Sequence, residues 1–294
     1  MLFRRKDPLG EVIMSFRLRT FFQMSLFAVP VGFSFVSFAA EPDNAPPDLS
    51  SVKSKGELRI AITHFDIPPF HMRRSDGTFS GKDIEFARDL GEALKAKIVF
   101  VDDPPTFDAV VESVATGRAH VGLSKLSQTY DRLASVRFSE PYLTLQHALL
   151  YNRAVISRFA NGGPPEDALR DFTGNIGVIG ASAYVDFAVA NYPKAKILEF
   201  PTWKATIEAL KNEKVDMIYR DEFEVRSVLI HDPAMHVQFG AAVLSDRRSF
   251  LTMAICDTCA KLQEFINYFI AQHPRTYSLD ELLLLNEKID GKDD

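Results

Sequence analysis

Ser127 and Arg132 stand five residues apart in the segment SKLSQTYDRLASVRFSEPY, Ser124 to Tyr142. The apolar run Ala119 to Ser124 reads as a strand. A turn capped by Ser or Thr follows it and opens a helix near Thr129. A strand ending this way presents free N–H groups at the helix start, a hydroxyl, and a guanidinium able to form a two-pronged ion pair. Such a set of donors suits recognition of a carboxylate. A second strand end carries an acid. Val215 to Tyr219 reads as a strand and leads through Arg220 to Asp221-Glu222. A carboxylate there is placed to meet a cation, to cap the helix that follows, or both.

The elements that must position these residues alternate. Glu57 to Thr63 is a strand, Asp66 to Phe70 a turn, and Gly77 and Gly81 flank a hairpin-like segment around Phe79. Lys82 to Ala96 has Ile84, Ala87, Leu90 and Leu94 on one helical face, and Lys97 to Val101 is a strand. Phe107 to Thr116 is a helix with Val110, Val111 and Val114 inward and Gly117 as its stop. After a strand over Gln146 to Asn152 the same order restarts. It runs strand Asn175 to Ile179, helix from Ser182, strand around Ile197, helix Trp203 to Lys211, strand Val215 to Tyr219, and helix Glu222 to Ile230. Phe250 to Ile255, a helix Thr258 to Ala271, and a Leu-rich helix opened by the capping box Ser278…Glu281 close the chain. Strands and helices alternating at this spacing imply α/β lobes, each a mostly parallel sheet covered by helices. Periodicity does not say which lobe the last strand joins.

Arg17 and Arg19 precede an apolar run from Phe21 to Phe38, and Ser37 to Ala39 offer small residues to a signal peptidase. Residues 1–40 read as a secretory signal cut after Ala39 or Ala40, with Met1 or Met14 as initiator; an uncleaved anchor is the other reading. No Cys stands near the cleavage site, so no lipoprotein anchor is expected. Residues 41–54, rich in Pro, Asp and Ser, read as a loose leader. Residues 1–40 carry five basic and two acidic groups, so their removal takes the formal charge from −5 to −8. That balance disfavours nucleic acid as a partner and suits a freely diffusing exported protein. Cys256 and Cys259 are the only cysteines and meet a strand–helix junction. A structural disulfide or two inert thiols is the main reading, and a redox centre the minor one. The seven His form no ligand-spaced pair beside Cys or carboxylates, so neither a metal nor a cofactor is expected.

The Ser127–Arg132 spacing followed by Phe138-Ser139-Glu140-Pro141-Tyr142 resembles the family 3 periplasmic solute-binding proteins, the amino-acid receptors of ABC importers. The resemblance spans about residues 55 to 272. It implies the type II periplasmic binding protein fold, two α/β lobes joined by a two-strand hinge. Lobe one would be 55–148 plus 245–294 and lobe two 149–244. It implies that Arg132 and Ser127 hold a ligand α-carboxylate, that Asp221 binds an α-ammonium, and that Phe107 stacks on the ligand side chain. Ser182 and Ala183, in Gly180-Ala181-Ser182-Ala183, match a helix-start loop that adds N–H donors. Ile67 stands where a second aromatic is usual, and Phe65 is placed to substitute. Lys125 and His64 stand where the family usually has a small residue and, in receptors for basic amino acids, an acid. A pocket bordered by both should reject cationic side chains and favour acidic or uncharged polar ones. The function implied is a non-enzymatic, monomeric periplasmic receptor that closes over an amino-acid-like ligand and docks on an ABC permease of the inner membrane. Two rivals stand beside it. One is a dehydratase of the cyclohexadienyl or arogenate type, recruiting Asp221, Glu222 or Lys125 as acid. The other is a soluble sensor for a separate membrane receptor.

Overall fold

The computed structural model describes residues 48–274 and 277–290. The expected signal over 1–40 and most of the leader lie outside the described residues. The chain enters on helix α1 (Leu49–Lys55), capped by Asp48, with Val52 fully buried. Residues 49–54 are therefore helical where a loose leader is expected. Val52 anchors the turn in the core, and the Asp48 carboxylate also accepts the Leu262 N–H.

Strand β1 (Glu57–Ala61) leads to a small ribbon, β2 (Met72–Arg73) and β3 (Phe79–Ser80). Helix α2 (Lys82–Leu94) buries the predicted apolar face, and β4 (Lys97–Val101) follows. Helix α3 (Phe107–Ala115) starts where the Thr106 hydroxyl accepts the Ala109 N–H. Strand β5 (Val121–Ser127) continues past the apolar run, because Lys125 and Ser127 are buried along with Val121 and Leu123. Then come the one-turn helix α4 (Tyr130–Leu133) and strands β6 (Val136–Phe138) and β7 (Leu143–Asn152).

The second half opens on α5 (Arg153–Ala160) and α6 (Pro165–Arg170), two helices that no apolar period announces. It continues through β8 (Asn175–Ile179), α7 (Ala183–Asn191), β9 (Lys196–Phe200) and α8 (Trp203–Lys211). Strand β10 (Met217–Asp221) lies slightly later than expected, its register set by pairing Met217 with Tyr151 and Asp221 with His147. Helices α9 (Glu222–His231) and α10 (Met235–Gln238) precede β11 (Phe239–Cys256), an 18-residue strand. Helices α11 (Ala260–Gln272) and α12 (Leu279–Asp290) finish the fold. The Ser278–Glu281 capping box forms as predicted, each residue bonding the other's N–H.

One nine-stranded sheet runs β4-β1-β5-β11-β7-β10-β8-β9, with β6 also on β11. Its two ends are parallel, as alternating strands and helices require, and its middle is antiparallel. The middle pair, β7 and β11, belongs to both halves. Residues 239–244 of β11 pair with β7, and residues 251–256 pair with β5 and β6. Between them the register shifts from Leu244 to Arg248. Hydrophobic burial divides the same way. One cluster joins Val52 through Leu145 to Leu251 through Leu283, taking only Ile179 and Phe223 from the other half. Two further clusters cover the two faces of β8 and β10. The result is two α/β lobes linked by β7 and β11.

Cys256 and Cys259 are joined by a disulfide at the junction of β11 and α11. Among the described residues no helix is long and apolar enough to cross a membrane.

Candidate functional site

The site forms where β5, α4 and the start of α3 in lobe one face the start of α7 and the end of β10 in lobe two. Lys125 is the centre of it. Its backbone sits at φ 51°, a left-handed conformation uncommon for a side chain of this size. The Lys125 N–H donates to Asp83 (3.1 Å), which also accepts the Tyr142 hydroxyl (3.0 Å). Burial pushes the Asp83 carboxyl up to about 6 despite those bonds. The side chain turns into the cleft with 2% of its surface exposed. Its ammonium lies 3.0 Å from Asp221 and 2.7 Å from Glu224, with the rings of Phe70 and Phe223 at 5.0 and 4.9 Å. Burial works against ionisation of Asp221, but the charges of Lys125 and then Arg220 outweigh it and hold the carboxyl below its ordinary range. The Asp221 carboxylate also caps α9 by accepting the Glu224 N–H, so the two roles expected of a strand-end acid coexist.

Arg132 is positioned by α4, where the Thr129 hydroxyl accepts its N–H. That bond uses one of the helix-start donors expected to be free. The guanidinium is buried. Nη1 donates to the Ser127 carbonyl at 2.8 Å, and Nε and Nη2 donate to one oxygen of Asp108 at 2.9 and 2.7 Å. Asp108 is 54% exposed, so its carboxylate stands between the guanidinium and solvent. Its N–H also reaches across to the Ala181 carbonyl of lobe two (3.3 Å). Ser127 meets Arg132 through its carbonyl, while its hydroxyl pairs with Ser249.

The lobes enclose an inner cavity of about 10 Å³, room for a single water. Phe107, Lys125, Ser127, Arg132, Ser182, Ala183 and Asp221 line it, all named from the sequence. Phe65 and Ile67 are not among the lining residues. Phe65 packs edge-on against Phe107 at 5.6 Å, while Ile67 is buried in the core of lobe one. His64 is exposed and bonds the Pro104 carbonyl, so the polar border expected of it lies outside the cleft. Outside Arg132 the cleft opens into a mouth of about 410 Å³ lined by Asp108, Glu112, Asp131, Asp186 and Glu199.

Sequence reasoning misses Tyr184, Arg220, Ser249 and Leu251 in the inner cavity. The Arg220 guanidinium sits over Phe107, Tyr184 and Trp203 at 5.4, 5.2 and 5.8 Å. It lies 3.8 Å from both Asp221 and Glu224, beyond hydrogen-bond reach. Its Nε and the Tyr184 hydroxyl are buried without a hydrogen-bond partner, although Ser249 is close enough to influence the Tyr184 ionisation. The adjacency of Arg220 to Asp221 was the one available signal. A regular strand sends neighbouring side chains to opposite faces, so it points away from the answer.

This arrangement offers a buried guanidinium with a carboxylate on it and a buried ammonium between two acids. Residues 58–161 match the sequence profile of the bacterial extracellular solute-binding proteins, family 3. That stretch of the chain resembles this family. Among its relatives, a cyclohexadienyl dehydratase of Pseudomonas aeruginosa is 28% identical over 60% of this chain and 64% of its own. A protein of Neisseria gonorrhoeae described as a probable histidine-binding protein is 22% identical over 63% of this chain and 66% of its own. The alignments thus span a little under two thirds of these relatives' lengths. The solved structure of a solute receptor for L-cysteine, also from N. gonorrhoeae, superposes with a TM-score of 0.62 at 24% identity. It covers 82% of this chain and 92% of that one, and it places the two-lobe fold in a known structural class.

Proposed function

We propose that this protein is an extracytoplasmic receptor that closes its two lobes over a small carboxylate-bearing, amino-acid-like solute and delivers it to an ABC permease. The observation that carries the reading is Arg132. A guanidinium this buried is held at the lobe junction with its fork on a carboxylate. That carboxylate, Asp108, is half exposed and free to swing to water, so a solute carboxylate can take its place without leaving a buried acid unpaired. Contacts from both lobes would then favour the closed form. The profile match over residues 58–161 and the relative described as a probable histidine-binding protein support the same reading.

The test is Arg132→Ala. Losing a buried charge-assisted pair should weaken binding of carboxylate solutes by roughly 3–5 kcal/mol. Calorimetry on a folded variant with unchanged affinity would refute the assignment.

The Pseudomonas relative's name raises a second reading, a dehydratase. Such chemistry needs an acid poised to protonate a departing hydroxyl. Asp221 is held ionised by Lys125, and Asp83, although raised to about 6, is sealed behind β5 against Tyr142 and the Lys125 N–H. Incubation with prephenate and arogenate should therefore show no turnover above background. Saturable turnover would replace the receptor reading.

A further inference from the structure

We infer that the solute is an organic acid without an α-ammonium group, carrying one carboxylate for Arg132 and a second oxygen acceptor for Arg220 and Tyr184. The inference rests on the receptor reading above and deepens it.

Three observations carry it. First, the place for an ammonium is already filled. The inner carboxylates are Asp221 and Glu224, and the Lys125 ammonium engages both. Lys125 is held there from every side, by Asp83 on its N–H, by the two acids on its tip, and by the rings of Phe70 and Phe223. An amino acid would have to evict that cation into an enclosed cleft or bring its own ammonium in without a partner. Either leaves a buried positive charge unpaired, which is strongly unfavourable.

Second, the charges count out. Lys125 and Arg220 stand against Asp221 and Glu224, so this inner group is balanced. Arg132 is paired by Asp108 from the solvent side. When Asp108 gives way, one negative charge restores neutrality and a zwitterion does not.

Third, two polar atoms lack a partner. Arg220 Nε and the Tyr184 hydroxyl are buried, have no hydrogen bond, and belong to residues lining the inner cavity. An Arg nitrogen only donates, so what completes it is an acceptor, such as a keto or hydroxyl oxygen.

The experiment is calorimetry and thermal shift on the purified protein with matched pairs that carry a single carboxylate: pyruvate against alanine, phenylpyruvate against phenylalanine, and 2-oxoisocaproate against leucine. The expected result is that at least one acid without the ammonium binds, more than about tenfold tighter than its amino partner. Lys125→Ser frees Asp221 and should reverse that order. Tighter binding of the amino partner by the unmodified protein overturns the inference and leaves the receptor reading standing. So does an unchanged order in a Lys125→Ser variant that melts cooperatively. Binding that survives Arg132→Ala overturns the receptor reading itself, and absence of binding by every acid overturns both.

Discussion

At the scale of single residues, Lys125 and Asp221 decide how the cleft behaves, and each side chain matters through its partner. Asp221 carries its charge in a fully enclosed position because an ammonium lies 3.0 Å away. Asp221→Asn leaves Lys125 with Glu224 alone. It should destabilise the fold by roughly 3 kcal/mol, the low end for breaking a buried pair, since one acid remains and Asn still caps α9. Chemical denaturation measures this; a loss under about 0.5 kcal/mol, the size of an ordinary surface change, would mean the pair contributes little. The Ser127–Arg132 spacing, with the family resemblance it carries, made Arg132, Ser127 and Asp221 legible as residues of the cleft. Lys125 was legible as a residue bordering the pocket, but its pairing with Asp221 and Glu224 was not. Its inward turn depends on a left-handed backbone at 125 and on Asp83 taking its N–H, and both are products of packing. Arg220 was hidden for a related reason: its neighbours Phe107, Tyr184 and Trp203 come from three separate elements.

At the scale of elements, helix starts were the most readable features. Thr106, Thr202, Asp221 and Ser278 each cap the helix that follows, and a cap is a local interaction between residues a few positions apart. Strand ends were less readable because partners set them. The polar stretch Ser245 to Ser249 looks like a loop, yet β11 runs through it and pairs with β7 on both sides of the register shift between Leu244 and Arg248. Helix α5 lay hidden because Val155 and Ile156 are its only buried residues, too few to show a period. The disulfide at the end of β11 is a local device as well. Cys256 and Cys259 close a loop with a sequence separation of 3, which constrains the unfolded chain only modestly. Replacing both by Ser should cost about 2 kcal/mol on the chain-entropy scale for so short a loop. A fall in the denaturation midpoint with an unchanged slope would fit; no fall would show that the packing of Leu262 and Ile266 holds α11 without the bond.

At the scale of the whole molecule, the two-lobe division was readable from the restart of the strand–helix order after Asn152. Its closure was not, because the contacts that close it, Lys125 to Asp221 and Asp108 to Ala181, join residues far apart in the chain. The molecule's response to acid follows from other buried groups, and opposing effects set its sign. Burial lowers His71, His120 and His147 from 6.5 to about 4. Between those values the unfolded chain binds protons on these three that the folded chain does not, so their contribution to stability is present above about pH 6.5 and is lost as the pH falls toward 4. Asp83 works the other way. Raised from 3.8 to about 6, it takes a proton in the folded chain first, and so favours folding as the pH falls through 6. Three depressed histidines outweigh one raised carboxyl. The melting temperature should therefore drop by roughly 5 °C or more between pH 7 and pH 4.5, most steeply between about pH 6 and 5, where the unfolded imidazoles are largely charged, the folded ones are not, and Asp83 compensates only in part. Asp83→Asn removes that compensation and should steepen the fall below pH 6. A flat or rising melting temperature over this range would mean that the three rings are charged in the fold, and that the buried contacts of His71 with Thr63 and of His147 with Tyr219 involve imidazolium.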